Sequence, residues 1–448
     1  LRTAVSTSAG LAFAAIEYLA ITSLLGYSAG DAAWVPIAVA GVLMLLVWGC
    51  YGELNGLFPT AAAIRLYMGK AMDDRVALGI TFTYMTTIVL VIAADAFIIG
   101  AALAHAFGAP EWAVSFFIVF VLGLAVVANL RGVKVAGIVQ DLATYLVLAA
   151  TVGVAATGLI EHAGRIHHVL DPIVPGHSLD LVQAVALGVF LYSAFEWVTA
   201  SAEEVRTPDL VPKGMLLALG ALFVVCALAA TTMQVLLSHH ELTSAYPQLY
   251  LGRAVAGEAG LWLMVAVTAV TALNTFNGGF VTASRFVYAA AREGSLPRIA
   301  ARLNDRAVPW VPVVALGILS LAAAVGVALS SAWQVLVSMG AALEAMIYAV
   351  AGYCVVSLRR RMPEAERPFH LRGGIWLPAL GVVIFGLLAV IASVSVENRF
   401  DPIPLVLILV AGAVSAAYVL WFLPRLRAKE AARRAAAGRV RRRPGAGR

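Results

Sequence analysis

Four carboxylates lie within long apolar runs of the chain. Asp95 sits in Val91-Ile92-Ala93-Ala94-Asp95-Ala96-Phe97, and Glu344 stands near the middle of a second run. Glu196 follows a stretch of small residues, and Glu17 lies near the N-terminus. No Lys or Arg occurs at comparable depth in those runs. Charged groups in apolar surroundings are costly and mark functional positions. An excess of acids predicts a cationic group in the bound molecule, a proton that comes and goes, or both. A carboxyl in such a setting favours its neutral form, which suits reversible protonation. A protonated or hydrogen-bonded structural carboxyl is the plainer alternative.

Two stretches carry small residues where an apolar helix is otherwise expected. They are Ser6-Thr7-Ser8-Ala9-Gly10 and Tyr192-Ser193-Ala194-Phe195-Glu196. Small side chains let a ligand approach the backbone. An unwound helix there would free N–H groups for an anion and carbonyls for a cation. Close helix–helix packing is the other reading of both stretches.

Other chemistry has little support. Cys50, Cys226 and Cys354 lie in apolar runs without metal-ligand spacing and read as small core residues. His105, His162, His167, His168, His177, His239, His240 and His370 fit no zinc motif. An intramembrane enzyme would need a nucleophile–base pair or a motif such as His-Glu-x-x-His, and the sequence has neither. No catalytic residue, metal or cofactor is therefore expected.

The elements that must hold these acids follow from composition. The 448 residues are 62% hydrophobic and 12% charged, about half the charge of an ordinary soluble chain (~25%). That excludes a soluble globular surface, and the apolar content excludes disorder. The apolar runs are long and continuous, which argues against a transmembrane β-barrel. With about 20 residues per spanning helix, twelve spans fit: 3–27, 34–55, 76–105, 111–130, 134–159, 181–202, 210–238, 259–290, 310–330, 333–358, 375–396 and 402–424. The chain thus reads as an all-α polytopic membrane protein. The two small-residue stretches fall in spans 1 and 6, each opening a set of five.

Of the 31 Lys and Arg, all but Arg165, Arg253 and Arg399 fall on the side that carries both chain ends. By the positive-inside rule, both termini are cytoplasmic. The segment 425–448 is a basic, Ala-rich tail. It is expected to touch anionic lipid headgroups rather than nucleic acid.

Four ordered stretches resemble the amino acid–polyamine–organocation permeases. After span 2 comes Tyr51-Gly52-Glu53-Leu54 with Phe58-Pro59-Thr60-Ala61. Span 6 carries Phe195-Glu196 and Ala202-Glu203-Glu204-Val205-Arg206-Thr207-Pro208. Span 8 is followed by Ser284-Arg285, Tyr288-Ala289 and Ala291-Arg292-Glu293-Gly294-Ser295-Leu296-Pro297. Arg367-Pro368-Phe369 precedes span 11, with Gly373-Gly374 and Leu377-Pro378. The resemblance implies a LeuT-like inverted repeat, with five helices in 1–159 and five more in 181–358. Two added helices occupy 375–424, followed by the tail. It also implies a short cytoplasmic helix after Phe58-Pro59.

The same resemblance implies a multi-pass cell-membrane permease that moves an amino acid or small organic amine by alternating access. The substrate would meet the backbone of Ser8, Ala9, Gly10 and Leu11, and of Tyr192, Ser193, Ala194 and Phe195. The family's Gly-Ser-Gly is Ser8-Ala9-Gly10 here. Val147 stands where some proton-coupled members have Lys. Coupling would use a proton or exchange, with Asp95, Glu344, Glu17 and Glu196 as candidate acids. Sodium is the alternative, with Thr268, Thr271 or Thr275 supplying a hydroxyl. A non-transporting ligand sensor on the same fold is the other class.

Overall fold

The computed structural model describes residues 2–27, 32–60, 63–132, 137–169, 178–204, 209–396 and 399–428. Eleven helices among them are long and apolar enough to cross a membrane. The first span falls below that length because it is broken. Its parts are α1 (Arg2–Ala12) and α2 (Ile16–Tyr27). Helices dominate because lipid supplies no partner for backbone N–H and C=O groups.

Then come α3 (Trp34–Leu57), the short α4 (Ala63–Ala71), α5 (Asp74–Ala106), α6 (Trp112–Leu130) and α7 (Gly137–Glu161). Helix α4 is the expected short helix after Phe58-Pro59. The sixth span begins with α8 (Ser178–Phe190) and continues as a 3₁₀ segment, Phe195–Glu204. Helix α9 (Leu210–Leu236) is followed by α10 (His239–Leu242), which opens with a capping box between Ser238 and Glu241.

Helix α11 (Pro247–Arg292) is longer than the expected span 259–290. Ala256 and Gly257 leave helical geometry, and Gly257 has φ 58°. An extra helical stretch therefore precedes the eighth span, with glycine supplying the left-handed residue at the join. Helices α12 (Trp310–Ser330), α13 (Trp333–Arg361), α14 (Trp376–Ser393) and α15 (Ile403–Ala417) complete the set. Strands β1 (Ser395–Val396) and β2 (Arg399–Phe400) form a small antiparallel hairpin between α14 and α15.

Burial separates a centre from a periphery. Helices α5 and α13 and the sixth span are mostly enclosed, whereas α6 and α15 are mostly exposed. The exposed side chains are apolar: Phe116, Phe120 and Leu124 on α6, and Leu409, Val410 and Val414 on α15. An apolar exterior around a core with buried acids is the pattern a bilayer requires. Helix α5 packs against α6, α11, α12 and α13, so Asp95 sits among neighbours on several sides.

Candidate functional site

The first span breaks on the C-terminal side of the expected stretch. Helix α1 continues through Ser6–Gly10 and ends at Ala12; the chain opens at Phe13, Ala14 and Ala15. The Phe13 N–H still closes on the Ala9 carbonyl at 2.8 Å, while the Ala14 N–H turns to Ala12 at 3.0 Å. Gly10 packs closely against α7. A Cβ added at Gly10 would lie 2.2 Å from Thr144 Oγ1 on α7. Ala9 and Ser8 are buried, and the Leu11 backbone is helical. The Ser8 hydroxyl donates to the Phe195 carbonyl at 2.7 Å.

A side chain from another helix holds the break open. The Ile16 N–H donates to Asp95 Oδ1 at 2.8 Å, and the Ala15 amide lies beside the same carboxylate. Asp95 thus does from α5 what an N-cap residue does locally.

The sixth span opens where the sequence suggested. Helix α8 stops at Phe190, and the N–H groups of Tyr192 and Ser193 fold back to Val189 and Phe190 at 3.1 and 2.9 Å. Ala194 adopts φ 63°, the left-handed region. Ser193, Ala194 and Phe195 are buried at this opening. The Tyr192 ring leaves it: its hydroxyl donates to the Ile37 carbonyl of α3 at 3.0 Å.

The four acids form one buried series. Glu196 accepts from Tyr84 Oη and Tyr348 Oη, each at 3.3 Å. The Trp197 indole N–H donates to Tyr84 Oη at 2.6 Å. Glu344 lies beside Glu196, with Tyr348 close to both and the Tyr51 ring within their reach. Glu17, in the first turn of α2, lies within electrostatic reach of both Asp95 and Glu344. Asp95, Glu17 and Glu344 are 0% exposed and Glu196 is 2% exposed, so water does not solvate them.

Among the described residues, none of the four is in an ion pair. Both carboxylate oxygens of Glu17 and of Glu344, Asp95 Oδ2 and the Tyr51 hydroxyl lack a well-formed hydrogen bond. Unmet acceptors without a cation are costly in a core.

On α11, Thr275 lies beside Asp95 while its hydroxyl donates to the Thr271 carbonyl at 3.1 Å. Thr268 and Thr271 likewise donate into their own helix. Val147 is buried. Asp141 on α7 is buried at 4% exposure and partnered. Among the described residues, no group of three or more His, Cys, Asp or Glu is suited to a metal ion.

Three tyrosines were not singled out by sequence. Tyr348 follows Glu344 by one helical turn, a readable i,i+4 signal. Tyr51 lay inside a family motif. Tyr84 on α5 carried no local signal.

Two of the family-like stretches meet in space. Glu53 on α3 accepts from Arg359 Nε and Nη2 at 2.9 and 2.5 Å, from Arg367 Nε at 3.2 Å and from the Leu371 amide at 3.0 Å. Phe369 packs edge-on against Trp48 at 5.1 Å. The loop after α13 is thereby fastened across the ends of α3 and α13. All of Glu53's donors are on the side carrying most of the basic residues.

The amino acid permease family model matches residues 3–426. The chain is 23% identical over 376 residues to the gamma-aminobutyric acid permease of Bacillus subtilis, covering 78% of this chain and 77% of that one. It is 26% identical over 301 residues to the branched-chain amino acid permease BcaP of Lactococcus lactis, covering 63% and 62%. A manganese transporter of Eremococcus coleocola shares the fold at TM-score 0.61, with 16% identity, covering 95% of this chain and 94% of the other. That likeness speaks for the LeuT-like fold alone. With the family model spanning both broken helices and all four acids, this multi-pass membrane chain belongs to the amino acid permease family of the amino acid–polyamine–organocation superfamily.

Proposed function

We propose that the chain is a secondary active transporter of an amino acid or small organic amine, working by alternating access with a proton or by exchange. The observation that carries this reading is the meeting of two broken helices beside buried acids with unmet oxygens. Substrate meets the backbone around Ala12–Ala15 and Ser193–Phe195, with Ser8 tying the two breaks together. Ala9, Gly10 and Leu11 support that site from α1, and Tyr192 anchors the second break to α3. Glu196 and Glu344 share a coupling proton, and Asp95 and Glu17 face the cationic end of the substrate. The breaks open residues 1–159 and 181–358, as an inverted five-plus-five repeat requires, with α14 and α15 added in 375–424. The charge asymmetry supports cytoplasmic termini and residence in the cell membrane.

The test is uptake by the purified chain in liposomes, over a panel of amino acids and amines. The expected result is accumulation driven by an inward pH gradient, or counterflow exchange, for at least one compound. Accumulation that needs a sodium gradient would replace the proton with sodium, held near Thr275 and Asp95. Binding without flux of any panel member would instead support a ligand sensor.

A further inference from the structure

Asp95 already occupies the position that an anionic ligand would take at the first break. The start of α2 frees N–H groups that favour an anion, through their own hydrogen bonds and the helix dipole. Asp95 Oδ1 takes the Ile16 N–H at 2.8 Å and lies beside the Ala15 amide. The chain therefore supplies from α5 the carboxylate that a zwitterionic ligand would otherwise bring. A second carboxylate at this place would face Asp95 and Glu17 without a Lys, Arg or His in an ion pair with either among the described residues. It would compete with Asp95 for the same amides and bring no donor to Glu17.

The surroundings ask for the opposite charge. Glu17 is fully buried with both oxygens unmet, and Asp95 Oδ2 is unmet as well. The Tyr51 hydroxyl, also unmet, lies within reach of Glu196 and Glu344 at the other end of the series. An ammonium group supplies donors and positive charge but brings no acceptor needing the amides. We infer that the substrate is an organic amine without a carboxylate, its ammonium held by Asp95 and Glu17 at the first break. This inference rests on the transport reading and names its substrate class.

The experiment measures binding to the purified full chain by isothermal titration calorimetry, using matched sets. Each set holds an amino acid, its decarboxylated amine and its methyl ester: leucine with isoamylamine, phenylalanine with 2-phenylethylamine, lysine with cadaverine. In every set that binds, the amine and the ester are expected to bind at least tenfold tighter than the amino acid. Asp95→Ala frees the two amides and should narrow that ratio at least tenfold by gaining amino acid affinity. Asp95→Asn keeps an acceptor for Ile16 and should weaken the amine without any gain for the amino acid. The ester arm needs no variant, so a poorly folding Asp95→Ala leaves the inference testable. Tighter binding of the free amino acid than of both its amine and its ester overturns the inference and leaves the transport reading standing. No binding in any set overturns both.

Discussion

The Ser8 hydroxyl donates to the Phe195 carbonyl at 2.7 Å, joining the helix before the first break to the opening of the second. The two residues are 187 positions apart in sequence, so only the folded arrangement brings them together. Interhelical side-chain hydrogen bonds in membrane proteins average about 0.6 kcal/mol, with a maximum near 1.7. Ser8→Ala is expected to cost about that much stability, read as a small drop in the thermal midpoint of the purified protein. Because the bond joins the two breaks, substrate affinity should fall as well. A variant matching the parent in both measurements would show that the bond does not hold the site together.

Ala194 pays for its place with backbone strain. A non-glycine residue in the left-handed region costs roughly 1–2 kcal/mol. Ala194→Gly is therefore expected to raise the thermal midpoint or leave it unchanged, and Ala194→Leu to lower it and block substrate. A lower midpoint for the glycine variant would mean that the buried methyl group contributes more than the strain removes.

Gly10 is held for a different reason. An added Cβ would meet Thr144 Oγ1 at 2.2 Å. Gly10→Ala is expected to reduce the yield of monodisperse protein, and Gly10→Ala with Thr144→Ala to recover part of it. Equal yields for the single and double variants would show that the two helices separate without penalty.

The long apolar spans were legible because apolar length is a local property of the sequence. The second break was legible too, since Ser193-Ala194 marks it directly. The first was not. Phe13-Ala14-Ala15 contains neither Gly nor Pro, and the carboxylate that caps the restarted helix comes from Asp95, 79 residues away. In the neighbouring Ser-Ala-Gly run, Gly10 packs closely against α7. The acids were found one by one as interruptions of apolar runs; their assembly into a series depended on helix packing. Glu53 and Arg367 were each visible inside a family-like stretch, and nothing local said that they would meet.

That meeting has a measurable consequence. The side chains of Glu53, Arg359 and Arg367 are 1%, 8% and 9% exposed. Removing one member of a buried ion pair costs about 3–5 kcal/mol because the partner charge is left behind. Glu53→Gln should therefore release the loop around Phe369, read as faster proteolysis between residues 362 and 375. Arg359→Lys should do nearly the same, because an ammonium does not reproduce the two-pronged contact. Proteolysis at the parent rate in both variants would show that Phe369 packing alone holds the loop.

Glu344 and Glu196 lead to the last prediction. They lie side by side in the core, share the neighbouring Tyr348 hydroxyl, and have no basic partner among the described residues. We propose that the pair shares one proton, as neighbouring carboxyls in an apolar core can. Substrate cation or a change of access can release that proton by altering the field around the pair. Glu344→Gln keeps the shape and fixes the site in its neutral form. The variant is expected to exchange substrate across the membrane while losing accumulation driven by a pH gradient. Tyr348→Phe removes the shared hydroxyl and should shift the pH dependence of accumulation without abolishing it. Glu344 binding the amine directly would give a different pattern: affinity itself would fall, more for cationic than for zwitterionic compounds. Unchanged binding and unchanged pH-driven accumulation in Glu344→Gln would make this carboxyl structural and move the search for coupling to Glu17 and Asp95.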